Sequence, residues 1–404
     1  MKKHIILGAV FTALASTSAL AESFPLGGGI TLTPSLDARV RFETVDQDNA
    51  VADAEALTVR LRPGISLGSG GFSLLVEGEG TFGIVNHYND TNAANGVEPY
   101  SVVADPESIE LNRAQLQYKS KAVTLTAGRQ RINIDDQRFV GSVGWRQNEQ
   151  TFDAVSGEGV LGPVSLSGTY AWSQRTIFGS DAGPRHAFSG DYIFLGAGAG
   201  VGPLNVKSFA YLLDFDAKEP IALTSTQTYG VRATTGFKIG EKISLDLTAS
   251  YARQSDYKAN PFSYSADYLA AEVGVGFSGF TLTGGYEKLG ADNGRAFQTP
   301  MATMHKFNGW ADLFLTTPNA GLEDIYGGVS VKLPEVKALP GLTAALIYHD
   351  FGSDVGGADY GSEWDAQIGF KLFGTGILLK YADYDADTFG VDTRKIWVQL
   401  GWTY

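Results

Sequence analysis

The feature that most constrains this chain is a period-two alternation of apolar and polar residues, repeated in short segments along most of its length. In the first segment Leu36, Ala38, Val40 and Phe42 share one face while Asp37, Arg39, Arg41 and Glu43 share the other. In the second, Leu57, Val59, Leu61 and Ile65 oppose Thr58, Arg60 and Arg62; in the third, Phe72, Leu74, Val76 and Phe82 oppose Glu77, Glu79 and Thr81. Successive side chains of a strand point to opposite faces, so a face made of charges must be wet. Similar segments follow near 109–118, 123–132, 151–160, 163–175, 186–199, 204–215, 228–238, 242–254, 266–277 and 280–289. The last five lie near 321–333, 342–352, 362–373, 376–384 and 394–404, giving eighteen predicted strands in all.

The gaps between segments alternate in length. Short ones include Gly68–Gly71, Lys119–Ala122, Leu161–Pro163, Gly200–Pro203, Ile239–Lys242, Ser278-Gly279 and Gly374-Thr375, with Pro334–Gly341 somewhat longer. Long ones fall at 45–55, 85–107, 133–150, 176–185, 216–227, 255–265, 290–320, 353–361 and 385–393. Short turns on one rim and long loops on the other predict an all-β transmembrane antiparallel barrel, with periplasmic turns and extracellular loops. A strand crosses lipid only if its backbone is fully paired, so the sheet must close. About eighteen strands enclose a lumen too wide for wall side chains to fill.

The ends of the chain agree. Met1-Lys2-Lys3, an apolar run from Ile5 to Leu14 and Ala19-Leu20-Ala21 read as a secretory signal over 1–21, leaving 22–404 as one barrel domain. The final segment sets Ile396, Val398, Leu400, Trp402 and Tyr404 against Lys395, Gln399 and Thr403. An amphipathic last strand ending in an aromatic resembles the signal read by the barrel-assembly machinery. Phe42, Phe72, Tyr118, Trp172, Trp364 and Trp402 sit where interfacial girdles are expected, against outer-membrane lipid and lipopolysaccharide. Fifty glycines, 12% aromatics and three methionines favour strand over helix. There is no cysteine, so thiolate metal sites and disulfides are excluded. A net charge of −13 disfavours nucleic acid as a partner.

Net charge does not fix the potential inside the lumen. Between Glu22 and Asn148 stand nine arginines, Arg39, Arg41, Arg60, Arg62, Arg113, Arg129, Arg131, Arg138 and Arg146, against two lysines in one short turn. Guanidinium forks match carboxylates bidentately, and rows of charge set channel selectivity, so an arginine-lined pore favours anions. A turn at Ser69-Gly70 would place Arg60 opposite Glu79 and Arg62 opposite Glu77, making Glu77 and Glu79 salt-bridge partners in the wall. Later acids on the inner face, Asp246, Glu272, Glu287, Glu363 and Asp365, predict a lumen polarised across its width.

The stretch from Gly128 to Val155 packs four of those arginines among Asp135, Asp136, Glu149 and Asp153. Arg129 and Arg131 share parity with Val123, Leu125 and Ala127, which face lipid; a bulge at Gly128 is expected to turn them inward. Adjacent Asp135 and Asp136 are expected in a turn, or paired to Arg131 and Arg138, rather than as an acid–base dyad. Loops 85–107, 133–150 and 290–320 exceed simple connections. The HKFNGWADLFLTTP run at 305–318 is apolar enough to tuck inside, where Phe307 and Trp310 would gate or grip sugar rings. His87, His186, His305 and His349 carry no metal spacing and no G-x-S-x-G nearby; a barrel lipase or protease with a site formed in space is the alternative of another class. No resident cofactor or metal ligand set is expected, beyond calcium held by acidic loops.

GRQ at 128–130, DDQRFVG at 135–141, WRQNEQTFDA at 145–154, FNGWADLFLTTP at 307–318 and YHDF at 348–351 together resemble the alginate-export family of outer-membrane porins. The resemblance implies a monomeric eighteen-stranded barrel in a Gram-negative outer membrane, with an electropositive constriction passing an acidic polysaccharide. Passive diffusion or export of an anionic carbohydrate, or another small anionic solute, is the function it implies. A general porin for neutral or aromatic solutes is the alternative, if Glu77, Glu79 and loop acids neutralise the arginines.

Overall fold

The alternation is realised as one closed antiparallel sheet. The computed structural model describes residues 22–93 and 96–404; the signal segment expected over 1–21 lies outside the described residues. The barrel strands are β1 (Ile30–Gln47), β2 (Ala54–Ser69), β3 (Phe72–His87), β4 (Ser108–Lys119), β5 (Val123–Gln130) and β6 (Thr151–Leu161). They continue with β7 (Val164–Arg175), β8 (Ala187–Val201), β9 (Leu204–Phe215), β10 (Thr226–Ile239), β11 (Ile243–Asp256) and β12 (Ser265–Phe277). The last six are β13 (Phe280–Leu289), β14 (Leu322–Leu333), β15 (Leu342–Gly352), β16 (Asp359–Leu372), β17 (Thr375–Ala386) and β18 (Thr393–Thr403). All eighteen predicted strands are present.

Closure occurs at β1, which pairs with β2 on one side and β18 on the other. No unpaired sheet edge then faces lipid. A short strand, Phe24–Gly27, folds back on Ile30–Leu32. Among the described residues there is no α-helix, only 3₁₀ turns such as Met304–Lys306. The outward face is apolar: Ile109 is 74% exposed and Ile65 53%, while Arg60 and Arg62 on the inward side of β2 are 1% and 2% exposed. Phe72 and Tyr118 touch at the short-turn rim, ring centroids 4.8 Å apart.

The β2–β3 register differs from expectation. Ser69 pairs with Phe72, so the hairpin turns through Gly70-Gly71, both at positive φ (56° and 90°). Two such residues in a two-residue hairpin loop favour glycine at both positions. The shift brings Arg62 to Glu79 and frees Glu77 for Arg113 on β4. The expected Arg60–Glu79 and Arg62–Glu77 pairs do not form; Arg60 binds Asp37 instead.

The wide lumen is filled from the long-loop side. Loop 131–150 and loop 290–321 fold inward and pair with each other: Val140 bridges Met301, and the Gly141 N–H donates to the Met301 carbonyl at 2.9 Å. Phe139 lies among Phe209, Tyr268, Tyr211 and Phe297, with ring centroids 5.2–5.9 Å away. Phe297 and Met301 are fully buried against inward wall aromatics. Each such side chain contributes roughly 1.5–3 kcal/mol on burial. The loops are a core inside the barrel, where the apolar run at 305–318 is expected to tuck. Tyr88 and Val103 instead pack on Val45, Ala54 and Ala56 at the long-loop rim.

Candidate functional site

Halfway along the first strands, the inward positions of β1 to β4 carry an arginine belt. Arg39 and Arg60 are direct cross-strand partners, two like charges side by side, which costs energy unless acids lie near. Asp37 supplies one by binding Arg60. Arg62 is held by Glu79 and, at 2.8 Å, by Glu149. A bulge on β4 beside Glu77 and Gly78 turns both Asn112 and Arg113 inward. Arg113 then grips Glu77 by Nε (2.8 Å) and Nη2 (2.5 Å), and Asn112 donates to Glu77 and Glu149 at 2.9 and 3.0 Å. Arg41 is fully buried, 3.6 Å from Asp105 and 4.0 Å above the Trp145 ring.

Arg39 is the exception. Among the described residues it has no carboxylate within salt-bridge distance. Its guanidinium donates to the carbonyls of Gly144 (3.1 Å), Trp145 (2.8 Å) and Arg146 (3.2 Å). Arg39 therefore holds the tail of loop 131–150 through backbone carbonyls, with no carboxylate contact of its own.

The loop brings its own charges. Arg146 spans Glu43 (3.1 Å), Asp312 (2.9 Å) and Asp105 (3.8 Å). Burial disfavours its charge, but those three carboxylates outweigh burial and keep it firmly protonated. Glu149 is likewise buried, yet Arg62 and Arg131 hold its carboxyl well below the usual range. Arg131 binds Glu149 and reaches Glu77 at 3.3 Å. Arg138 crosses to the far wall, bonding Glu287 at 2.7 Å and Asn308 at 3.0 Å, with Phe307 4.8 Å below its guanidinium.

Loop 290–321 supplies the opposite half. Its segment 305–312 is clamped by wall acids: the Trp310 N–H donates to Asp365 (3.1 Å) and the Ala311 N–H to Glu363 (2.7 Å). Gly309 sits at φ +83°, and a Cβ there would lie 2.2 Å from Glu363 Oε2. His305 stacks on Trp145 and contacts Asp312 at 2.7 Å. Lys380 on β17 donates to His305 Nε2 at 2.6 Å and sits 3.6 Å from the Trp310 ring.

Several expectations need correction. Arg129 does not line the lumen: the β4–β5–β6 register runs without interruption through Gly128, so no bulge re-aims it. It stays on the face of Leu125 and Ala127, paired there with Asp153 at 2.7 Å. Arg131 does turn inward, because β5 ends at Gln130 and the chain leaves the wall. Asp135 and Asp136 form a turn, but bind Lys207 (2.9 Å) and Arg232 (2.7 Å) on the wall rather than Arg131 and Arg138. Phe307 and Trp310 both lie inside, Trp310 only 4% exposed. Sequence reasoning missed Asp105, Asp312, Gly309 and Lys380. Lys380 carried a signal, as a lone cation between Leu378 and Ala382 on an otherwise uncharged inward face.

Two spaces flank the loops. One, a cavity of about 80 Å³, lies between loop 290–321 and the far wall, bordered by Tyr268, Tyr326, Phe307, Glu272, Arg232 and Lys306. The other, about 400 Å³, lies beside loop 131–150 and is lined by Gln117, Gln130, Arg131 and Lys207. Among the described residues no group of three or more His, Asp or Glu side chains is placed to hold a metal. There too, none of the histidine rings hydrogen-bonds a serine hydroxyl; His349 contacts Asp324 at 2.9 Å and His186 lies 3.0 Å from Arg175.

A closed eighteen-stranded sheet with short turns, long loops and a loop-lined constriction matches known architectures. Residues 32–172 match the alginate export family. This stretch covers β1 to most of β7 and includes the whole arginine belt. The fold is that of an outer-membrane porin. The chain superimposes on Pseudomonas aeruginosa OpdK with a TM-score of 0.71 at 14% identity, covering 92% of this chain and 98% of that one. It is equally similar to Acinetobacter baumannii OccAB4 (0.71, 11% identity) and Pseudomonas aeruginosa OccK9 (0.71, 15%), each over 92% of this chain and 98% of the other. OpdK has also been solved with vanillate. No curated protein sequence matches this chain. At such identities the likeness carries the barrel and not the cargo.

Proposed function

We propose that this porin is a passive outer-membrane channel for anionic solutes, chiefly carboxylate-bearing sugars up to acidic oligosaccharides. The observation that carries the reading is Arg39: a half-buried arginine beside Arg60, with no carboxylate within salt-bridge distance among the described residues. Arg113 and Arg131, with side chains 20% and 28% exposed, lie near it, paired with Glu77 and Glu149. A solute carboxylate drawn to Arg39 and competing with those acids for Arg113 and Arg131 is attracted yet never held at one site, as conduction requires. The inward loops occupy mid-lumen, which favours short solutes over a polymer. The alginate export match over the belt supports the same cargo class.

The far-wall space supports a second reading, for aromatic carboxylates. Tyr268, Phe307 and Tyr326 offer ring faces, while Arg232 and Lys306 offer cations. The vanillate seen with OpdK is a solute of that kind. Liposome swelling separates the readings. Uptake of glucuronate well above glucose, with no competition by vanillate, supports the first; competition by vanillate supports the second. Equal uptake of glucose and glucuronate excludes both.

A further inference from the structure

Loop 131–150, loop 290–321 and the wall meet at one cluster. The Trp145 ring is covered on one side by Arg41 (4.0 Å) and stacked on His305 (centroids 4.4 Å, 5° from parallel), with Trp397 edge-on at 5.7 Å. Lys380 Nζ lies 4.3 Å from the Trp145 ring and 3.6 Å from Trp310, and donates to His305 Nε2 at 2.6 Å. An imidazole that accepts from an ammonium at Nε2 must donate from Nδ1, and Asp312 lies there at 2.7 Å. His305 is thus neutral, with a fixed tautomer.

We propose that this cluster is a proton-released latch: acidification frees loop 290–321 from loop 131–150 and opens the anion path. The proposal rests on the channel reading above and adds its regulation. His305 is 6% exposed and cannot take a proton in place, because its Nε2 already faces the Lys380 ammonium. Burial holds the ring well below the ordinary histidine range; Asp312 pulls the other way, while Lys380 and Arg146 add to burial. Other charges around it are Lys395 on β18 (3.4 Å from Asp312), Glu43 and Arg41 on β1, Asp105, and Glu363 with Asp365 on β16. The carboxylates nearest His305 are committed: Asp312 to Arg146 and Lys395, Glu363 and Asp365 to loop N–H groups. Once the loop is out, the imidazole titrates near its ordinary pKa of about 6.5. At His305 the latched state then binds one proton fewer than the released state at low pH. The His305 contribution to latching is fully present above about pH 6.5 and weakens by up to about tenfold per pH unit below it.

The test uses the cysteine-free full chain. A nitroxide on Leu315→Cys, an exposed loop position (42%), reports loop mobility while planar bilayers report current. Between pH 7.5 and 5 the label should become mobile and mean conductance should rise several-fold. His305→Gln keeps a donor and an acceptor but cannot titrate, so both readouts should lose their pH dependence. His305→Ala removes the stack and should be mobile and conductive at both pH values. A wild-type label indifferent to pH, or a pH response retained by His305→Gln, overturns the latch even if anion current persists. A label that responds while no anion current appears supports the latch and overturns the channel reading instead.

Discussion

The ring of Trp145 lies parallel to that of His305, centroids 4.4 Å apart, so one aromatic contact joins the two loops that fill the barrel. The same tryptophan receives Arg39 and Arg41 at its carbonyl, at 2.8 and 2.5 Å. Wall charge, loop packing and the path through the lumen therefore depend on one residue.

Trp145→Ala should loosen that junction without harming the barrel. Its carbonyl still accepts from Arg39, but the ring contacts with Arg41, His305 and Lys380 go. Cation–π and stacking contacts of this kind contribute about 0.5–2 kcal/mol each when desolvated. Single-channel recordings should show larger, noisier conductance, while heat-modifiable mobility in gels stays that of a folded barrel.

Arg62→Ala should behave differently. It leaves Glu79 and Glu149, both buried, without their main cation. Removing one partner of a buried pair typically costs about 3–5 kcal/mol. A clear fall in the thermal unfolding midpoint is expected, larger than for Arg113→Ala, whose side chain is 20% exposed.

Arg129 provides a control. Its pair with Asp153 lies on the outward side, so Arg129→Ala should leave ion selectivity unchanged and cost about 1 kcal/mol or less. A selectivity change as large as that from Arg39→Ala would return Arg129 to the lumen.

The pH response should be confined to one loop. Burial works against the Glu149 carboxylate, but Arg62 and Arg131 outweigh it and depress its pKa. A depressed carboxyl stabilises docking above its free pKa of about 4.3 and loses that only as pH falls toward the docked value. A spin label on loop 131–150 should therefore stay immobile at pH 5, where one at position 315 has become mobile.

The barrel was readable because a strand's period is fixed at two and lipid enforces it on every outward residue. Leu125, Ala127 and the aromatic girdles announced the wall, and gap lengths announced its two rims. The site was readable only in part. Inward parity found Arg39, Arg41, Arg60, Arg62 and Arg113, but partners depend on register, and a turn at Gly70-Gly71 instead of Ser69-Gly70 reassigned Glu77 and Glu79. Arg129 misled because Gly128, at φ 110°, looked like a bulge signal; the actual bulge lies one strand earlier, at Asn112. Contacts made by loops across the lumen, such as Arg146 with Glu43 and Asp312, follow no period and left no trace in the sequence.

Gly309→Ala isolates the loop clamp. The new Cβ would collide with Glu363 Oε2 at a backbone angle that non-glycine residues avoid. A cost of about 1–3 kcal/mol is expected for holding the segment in place. Loop 290–321 should show raised hydrogen exchange, with protection of the barrel strands unchanged.

The central claim is that an arginine belt centred on Arg39 selects anions. The reversal potential in a potassium chloride gradient across a planar bilayer tests it most directly. Wild-type protein should reverse on the chloride side, and Arg39→Gln combined with Arg113→Gln should move the reversal toward zero. Cation selectivity in the wild type, or the same reversal potential in the double variant, would contradict the account.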